Sequence, residues 1–230
     1  MKPHDSVCLL VQTEGADVNM RFLGTCFPFR SRSQFLTAAH CLSNLAPEDI
    51  GILSPEAEDA LALKKVEKHP DADLAILSTT KPLQHNLDPF PDHTSGHEVG
   101  EEFVAFGFPE DVFSVENRQP VARLFKGHFQ RFFAYSSHQG FRYFAGELSV
   151  GCPAGLSGGP VYRANDPVNR VDGVVTENLE SSTVLESIED EESGCEVKRV
   201  TYKKVINYGL CVMLYDLKDW LDENAPTESA

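Results

Sequence analysis

Val7, Leu9 and Val11 recur at every second position between Ser6 and Thr13, and after a polar break from Glu14 to Asn19 the chain resumes with Met20, Phe22 and Leu23. That is the period of a half-buried strand, and the pair reads as a β-hairpin. The second strand runs to Phe29 and turns through Ser31, Arg32 and Ser33. A third strand then carries Phe35 and Leu36 into Thr37-Ala38-Ala39-His40-Cys41. Ile50 to Leu53 and Leu61 to Val66 form short strands on either side of an acidic loop with Pro55 and Glu56. After His69-Pro70-Asp71-Ala72, Asp73 opens the apolar run Leu74-Ala75-Ile76-Leu77. An ionised carboxylate entering a buried strand needs a partner.

From Ser78 to Gly100 the periodicity fades, and Pro82, Pro89 and Pro91 mark a crossover between two halves. The second half opens with a strand from Glu102 to Phe108. Val121 to Phe133 and Arg142 to Leu148 follow as strands dense in phenylalanine, which read as core and interface packing. Beyond the segment Gly151-Cys152-Pro153-Ala154-Gly155-Leu156-Ser157-Gly158-Gly159-Pro160 come short strands at Val161-Tyr162 and Val171 to Val175, and a last strand from Tyr208 to Met213. A helix is expected from about Leu217 to Glu223, capped by Asp216 and stopped by Pro226, with a frayed tail behind Ala225.

Length and composition change this picture in a few places. A chain of 230 residues with 41% hydrophobic and 24% charged residues folds as a globular protein on its own core. No apolar run reaches membrane-spanning length, so no membrane partner is expected. A net charge of -15 argues against a nucleic-acid partner, which calls for clustered lysine and arginine. Glu186, Glu189, Asp190, Glu191, Glu192 and Glu196 concentrate part of that charge, and the segment reads as a solvated flexible loop. The six cysteines include no C-x-x-C pair, and the N-terminus does not look like a secretory signal. Reduced thiols in a cytoplasmic protein follow, with a Cys26–Cys41 disulfide as the alternative. His85, Asp92, His93 and His97 have a metal-like spacing, but loop histidines are usually exposed, so no metal or other cofactor is expected.

The candidate chemistry lies in three stretches. Ser157 stands among Gly155, Gly158 and Gly159, which free the backbone for tight turns and leave a hydroxyl beside unpaired N–H groups. His40 ends a buried strand, and Asp73 opens one. Taken together, Thr-Ala-Ala-His-Cys, Asp-Leu-Ala-Ile-Leu and Gly-Leu-Ser-Gly-Gly-Pro resemble, in this order, the triad motifs of the chymotrypsin-like (trypsin-fold) serine proteases. An α/β-hydrolase needs a histidine behind the serine, and none follows His138; a subtilisin order needs a suitable aspartate before His40.

The resemblance implies an all-β fold of two six-stranded antiparallel β-barrels with a C-terminal α-helix. The first barrel would span residues 1–80 with His40 and Asp73, the linker 81–99, and the second barrel with the helix 100–225 with Ser157. It implies a serine endopeptidase acting on protein or peptide substrates: Ser157 as nucleophile, His40 as base, Asp73 orienting the imidazole, and the N–H groups of Gly155 and Ser157 as oxyanion hole. By the same analogy Gly151, Cys152, Tyr208 and Gly209 border the primary substrate pocket, without the acidic residue of a trypsin-like preference.

Two departures qualify the resemblance. Leu156 replaces the aspartate that digestive members pair with a newly cut N-terminus, and no Ile-Val-Gly-Gly start is present. The chain therefore looks closer to HtrA-type and microbial trypsin-like peptidases, and regulation through the Cys152 to Leu156 loop, or by a protein partner, is expected. No PDZ domain is expected behind the protease unit. The alternative from a different class is a catalytically silent protease-fold protein that binds a peptide or partner.

Overall fold

A computed structural model describes residues 7–13, 20–54, 59–83, 97–110, 121–166, 168–190 and 198–226. Six strands build the first barrel: β1 (Cys8–Thr13), β2 (Met20–Pro28), β3 (Gln34–Thr37), β4 (Ile50–Leu53), β5 (Leu61–Lys68) and β6 (Ala75–Thr79). They pair antiparallel in the ring order β1-β2-β3-β6-β5-β4, which closes where β1 meets β4. The second barrel holds β7 (Glu102–Gly107), β8 (Arg123–Ser136), β9 (Arg142–Leu148), β10 (Pro160–Arg163), β11 (Val171–Asp190) and β12 (Lys198–Met213). Its ring, β10-β11-β12-β9-β8-β7, closes through β10 and β7. The expected fold class is the observed one.

The alternation in β1 marks one of two buried faces. Val7, Leu9 and Val11 join Phe27, Leu36 and Ile76 in a core shared with Val104, Phe106 and Tyr143 of the second barrel. The other parity, Cys8 and Leu10, fills the first barrel with Cys26, Phe35, Ile52 and Leu77. Both faces of β1 are dry because one lines a barrel and the other lines the seam between barrels. The chemistry described below sits on that seam.

Three expectations change. The short strands at Val171 and Tyr208 are the inner ends of a long ribbon, in which β11 and β12 pair from Gly173 and Met213 out to Asp190 and Lys198. β12 meets β9 only from Gly209 to Val212, so the outer part of the ribbon is two-stranded, with Val184, Tyr202, Val205 and Ile206 exposed. Glu186, Glu189 and Asp190 thus belong to a strand; Val200, Tyr202 and Val205 bring the β-branched and aromatic character that a paired strand favours over a loop. Glu191, Glu192 and Glu196 lie outside the described residues.

Secondly, Asp216 does not cap the helix. It falls inside a 3-10 turn, Leu214–Leu217, and α1 (Lys218–Asn224) starts from Leu217 with no side-chain cap. The helix is secured at its other end, where the Arg30 side chain donates to the carbonyls of Leu221 (3.1 Å), which also accepts the Ala225 N–H, and of Ala225 (2.9 Å). Thirdly, His97 is enclosed rather than exposed. Phe129, Phe132 and Tyr215 surround its ring, with Glu101 and Asp172 at 3.2 and 3.3 Å. No cluster able to hold a metal occurs among the described residues, and His85, Asp92 and His93 lie outside them. Among the described residues no helix is long and apolar enough to cross a membrane.

Candidate active site

His40 sits in the 3-10 turn Ala39–Leu42 that follows β3, and Asp73 immediately precedes the segment entering β6. Because Thr37 pairs with Ala75, the ends of these two strands bring the side chains together. His40 donates its backbone N–H to Asp73 Oδ1 at 2.8 Å, and its Nδ1 lies 2.7 Å from Oδ2. A carboxylate at Nδ1 keeps the proton there and leaves Nε2 as the acceptor. The Asp73 loop is braced by His69, whose Nδ1 accepts the N–H groups of Asp71 (3.1 Å) and Ala72 (2.8 Å). Burial holds the His69 imidazole below its ordinary range, against the pull of Asp71, which keeps Nδ1 free to accept.

Burial pushes the His40 pKa down, but the hydrogen bond to Asp73 and the sulfur of Cys41 outweigh it and raise the group above its ordinary value. Glu177, one residue beyond Thr176 on β11, is held above the usual carboxylate range by burial and then by the charge of Asp73.

The serine loop is shaped by contacts from both barrels. Leu156 donates its N–H to Pro153 at 3.1 Å, closing a turn in which Gly155 has φ +90°. That is the third-position conformation of a type II turn, and a Cβ on Gly155 would also meet the Phe108 carbonyl at 2.5 Å. Leu156 is fully buried among Phe103, Phe129, Val161 and Met213 in the second barrel. From β2 of the first barrel, Thr25 donates its hydroxyl to the Gly155 carbonyl (2.8 Å), accepts the Phe108 N–H (3.0 Å), and donates its N–H to the Ser157 carbonyl (2.8 Å). Among the described residues nothing accepts the N–H of Gly155 or of Ser157. Two neighbouring unpaired donors are what an oxyanion requires.

His40 and Ser157 line one cleft of about 440 Å³, with Phe22, Cys41, Glu110 and Gly155 also in its walls. The Ser157 hydroxyl donates to the Thr176 carbonyl at 2.7 Å and not to His40. The structure thus joins His40 to Asp73 and turns the serine towards β11.

The residues assigned to the primary pocket pack against one another. Cys152 Sγ lies against Gly209, where a side chain would otherwise stand, and Gly209 donates to Val150 at 2.9 Å. Gly151 faces Asn207, with Tyr208 half-buried beside it. Asn178 bridges β11 to this segment: its Oδ1 accepts the Cys152 N–H at 2.7 Å and its Nδ2 donates to the Cys152 carbonyl at 2.6 Å.

Sequence reasoning missed Thr25, Thr176 and Asn178. Thr25 left a trace, a hydroxyl inside the otherwise apolar run Phe22 to Phe29, whereas Asn178 sits in a polar run that gives no sign of a bridging role. Thr25→Val keeps the shape but strands the Gly155 carbonyl and the Phe108 N–H in a dry site. A loss of about 3 kcal/mol of folding stability is expected, measured by urea denaturation, together with slower reaction of Ser157 towards an active-site serine probe.

Two closed antiparallel barrels with these residues along their seam define the two-barrel serine protease fold. The chain belongs to the trypsin-like peptidase family, whose domain matches residues 24–169. No curated protein matches the chain in sequence. Among solved structures it is similar to the Rv3671c protease of M. tuberculosis in its active form, with 14% identity, a TM-score of 0.66, and 99% of this chain and 84% of that chain covered. An inactive form of the same protease gives 15% identity and a TM-score of 0.62 over 97% of this chain and 90% of that one. The MamO protease domain of Magnetospirillum magneticum gives 16% identity and a TM-score of 0.63 over 95% and 97%. At these identities the likeness concerns the fold.

Proposed function

We propose that this protein is a serine endopeptidase that cleaves protein or peptide substrates through Ser157, His40 and Asp73. The observation that carries the reading is the Asp73–His40 pair opening onto the same cleft as Ser157 and two unpaired N–H groups. For catalysis the Ser157 hydroxyl leaves the Thr176 carbonyl and donates to His40 Nε2. His40 removes the proton as Oγ attacks the substrate carbonyl, and Asp73 stabilises the imidazolium. The carbonyl oxygen, now an oxyanion, is received by Gly155 and Ser157 N–H; each donor is worth about 3 kcal/mol in such sites. The imidazolium returns the proton to the leaving amine, and water then hydrolyses the acyl-enzyme by the same route in reverse. The cytoplasm is the proposed compartment, where free thiols such as Cys8, Cys26, Cys41, Cys152 and Cys211 persist.

A second reading rests on the orientation of Ser157 towards Thr176: a protease fold that binds peptides or a partner without turning over, or one whose serine is turned by a partner through the Cys152 to Leu156 loop. A fluorophosphonate probe separates the readings. Labelling of the wild type and not of Ser157→Ala is the result expected of the enzyme. Absence of labelling, with candidate partners present or not, leaves the binding module.

A further inference from the structure

We propose that Cys41 is a thiol-modification site built into the cleft, where an adduct on its sulfur takes His40 away from Ser157. Cys41 does not stand alone. Its Sγ lies 3.7 Å from His40 Nε2, the ring nitrogen that Asp73 leaves open, and 3.9 Å from the Ser157 carbonyl. A thiol facing an imidazole nitrogen is the arrangement that makes sulfur nucleophilic.

The room for this sulfur is provided by Gly24, where a Cβ would come within 2.9 Å of Sγ. The other thiols differ. Cys8, Cys26 and Cys211 are fully buried and Cys152 packs against Gly209, whereas Cys41, 8% exposed, lines the cleft beside Ser157. Of these five thiols, Cys41 alone combines a base with a cleft wall.

The chemistry balances with a peroxide as oxidant. Nε2 accepts the thiol proton, and the sulfur attacks one peroxide oxygen. An S–O bond forms as the O–O bond breaks, and the departing hydroxide takes the proton from His40 and leaves as water. Sulfur is oxidised to the sulfenic acid and the peroxide is reduced. An oxygen added to a sulfur 3.7 Å from Nε2 competes with the Ser157 hydroxyl for that nitrogen. Reduction by a dithiol restores the thiol.

The switch rests on the reading of His40 as the base for Ser157, but the labelling of Cys41 does not. The test follows each cysteine by mass spectrometry in the native full chain, with iodoacetamide and with hydrogen peroxide plus a sulfenic-acid trap. Cys41 is expected to react at least about tenfold faster than Cys8, Cys26, Cys152 and Cys211, and to slow by a similar factor in His40→Gln. Urea-unfolded protein, in which the rates converge, controls for intrinsic differences, and circular dichroism verifies the variant's fold. Peroxide should abolish fluorophosphonate labelling of Ser157 in the wild type, reversibly with dithiothreitol, and spare it in Cys41→Ala. Cys41 labelling no faster than the other four thiols, or unchanged in His40→Gln, overturns the site. Ser157 labelling that survives complete oxidation of Cys41 overturns the switch. Fast, His40-dependent labelling of Cys41 in a chain that never takes fluorophosphonate supports the site while the protease reading fails.

Discussion

On the proposed mechanism, Asp73→Asn is expected to lower kcat/KM on a peptide substrate by about four orders of magnitude while the fold persists. The effect follows from the two contacts of one carboxylate. The carboxamide oxygen can still accept the His40 backbone N–H, but an NH₂ group opposite Nδ1 donates, so the imidazole proton moves to Nε2 and the nitrogen facing the cleft can no longer accept. The pH dependence supplies a second readout. His40 is held above its ordinary pKa, so in the wild type the neutral base, and with it the proposed activity, is expected only as pH rises through that raised value. The stability linked to the same group runs the other way: it is fully present below the unfolded value of about 6.5 and is lost as pH rises through the folded one. Asp73→Asn removes a cause of the elevation and therefore moves the acid limb of the residual rate to lower pH. Comparison of pH-rate profiles and of urea stabilities at pH 6 and pH 9 checks both signs; an acid limb that stays in place would show that Asp73 does not tune His40.

Leu156→Asp, which restores the residue type of digestive relatives, is expected to be among the most damaging single changes. Leu156 is fully buried in the second barrel, with Gly107 against its side chain. A carboxylate there meets Phe103, Phe129, Val161 and Met213 and no cation among the residues of that cluster. Lost apolar burial and an unpaired buried charge together cost about 5 kcal/mol, a large share of the stability of a typical domain. The penalty grows as pH rises above the ordinary carboxyl range of about 4, because only the ionised form is excluded from the core. Leu156→Met, nearly equal in volume, should lose less than about 1.5 kcal/mol and keep fluorophosphonate reactivity. Urea midpoints across pH 4 to 8 test the pair of variants; an aspartate variant as stable as the wild type at pH 8 would mean that a cation reaches position 156.

These two residues also show what the sequence could convey. Asp73 announced itself because a charge at the mouth of an apolar run is costly, and its meaning came from order, with His40 before it and Ser157 after. Leu156 announced itself only as a departure. Nothing local distinguishes an apolar residue that props a turn from one that merely follows a glycine; its role is visible once β7, β8 and β12 converge on it. The bond from Thr25 to Gly155 crosses 130 positions, and the turning of Ser157 to Thr176 is a choice of rotamer, neither of which periodicity encodes. The ribbon of β11 and β12 was hidden for another reason. Val184, Tyr202, Val205 and Ile206 in its outer half are exposed, and the alternation that reveals a half-buried strand is missing between Ser181 and Asp190.

The placement of Thr25 carries a consequence for how the protein ages under stress. Two of the hydrogen bonds that shape the serine loop, from the Thr25 hydroxyl and N–H, come from the first barrel while the loop belongs to the second, so the geometry of the cleft depends on the docking of the two. Heat or solvent that parts the barrels breaks these bonds while every strand is still paired. Its working lifetime is thus set by the seam, a smaller cooperative unit than the barrels it joins.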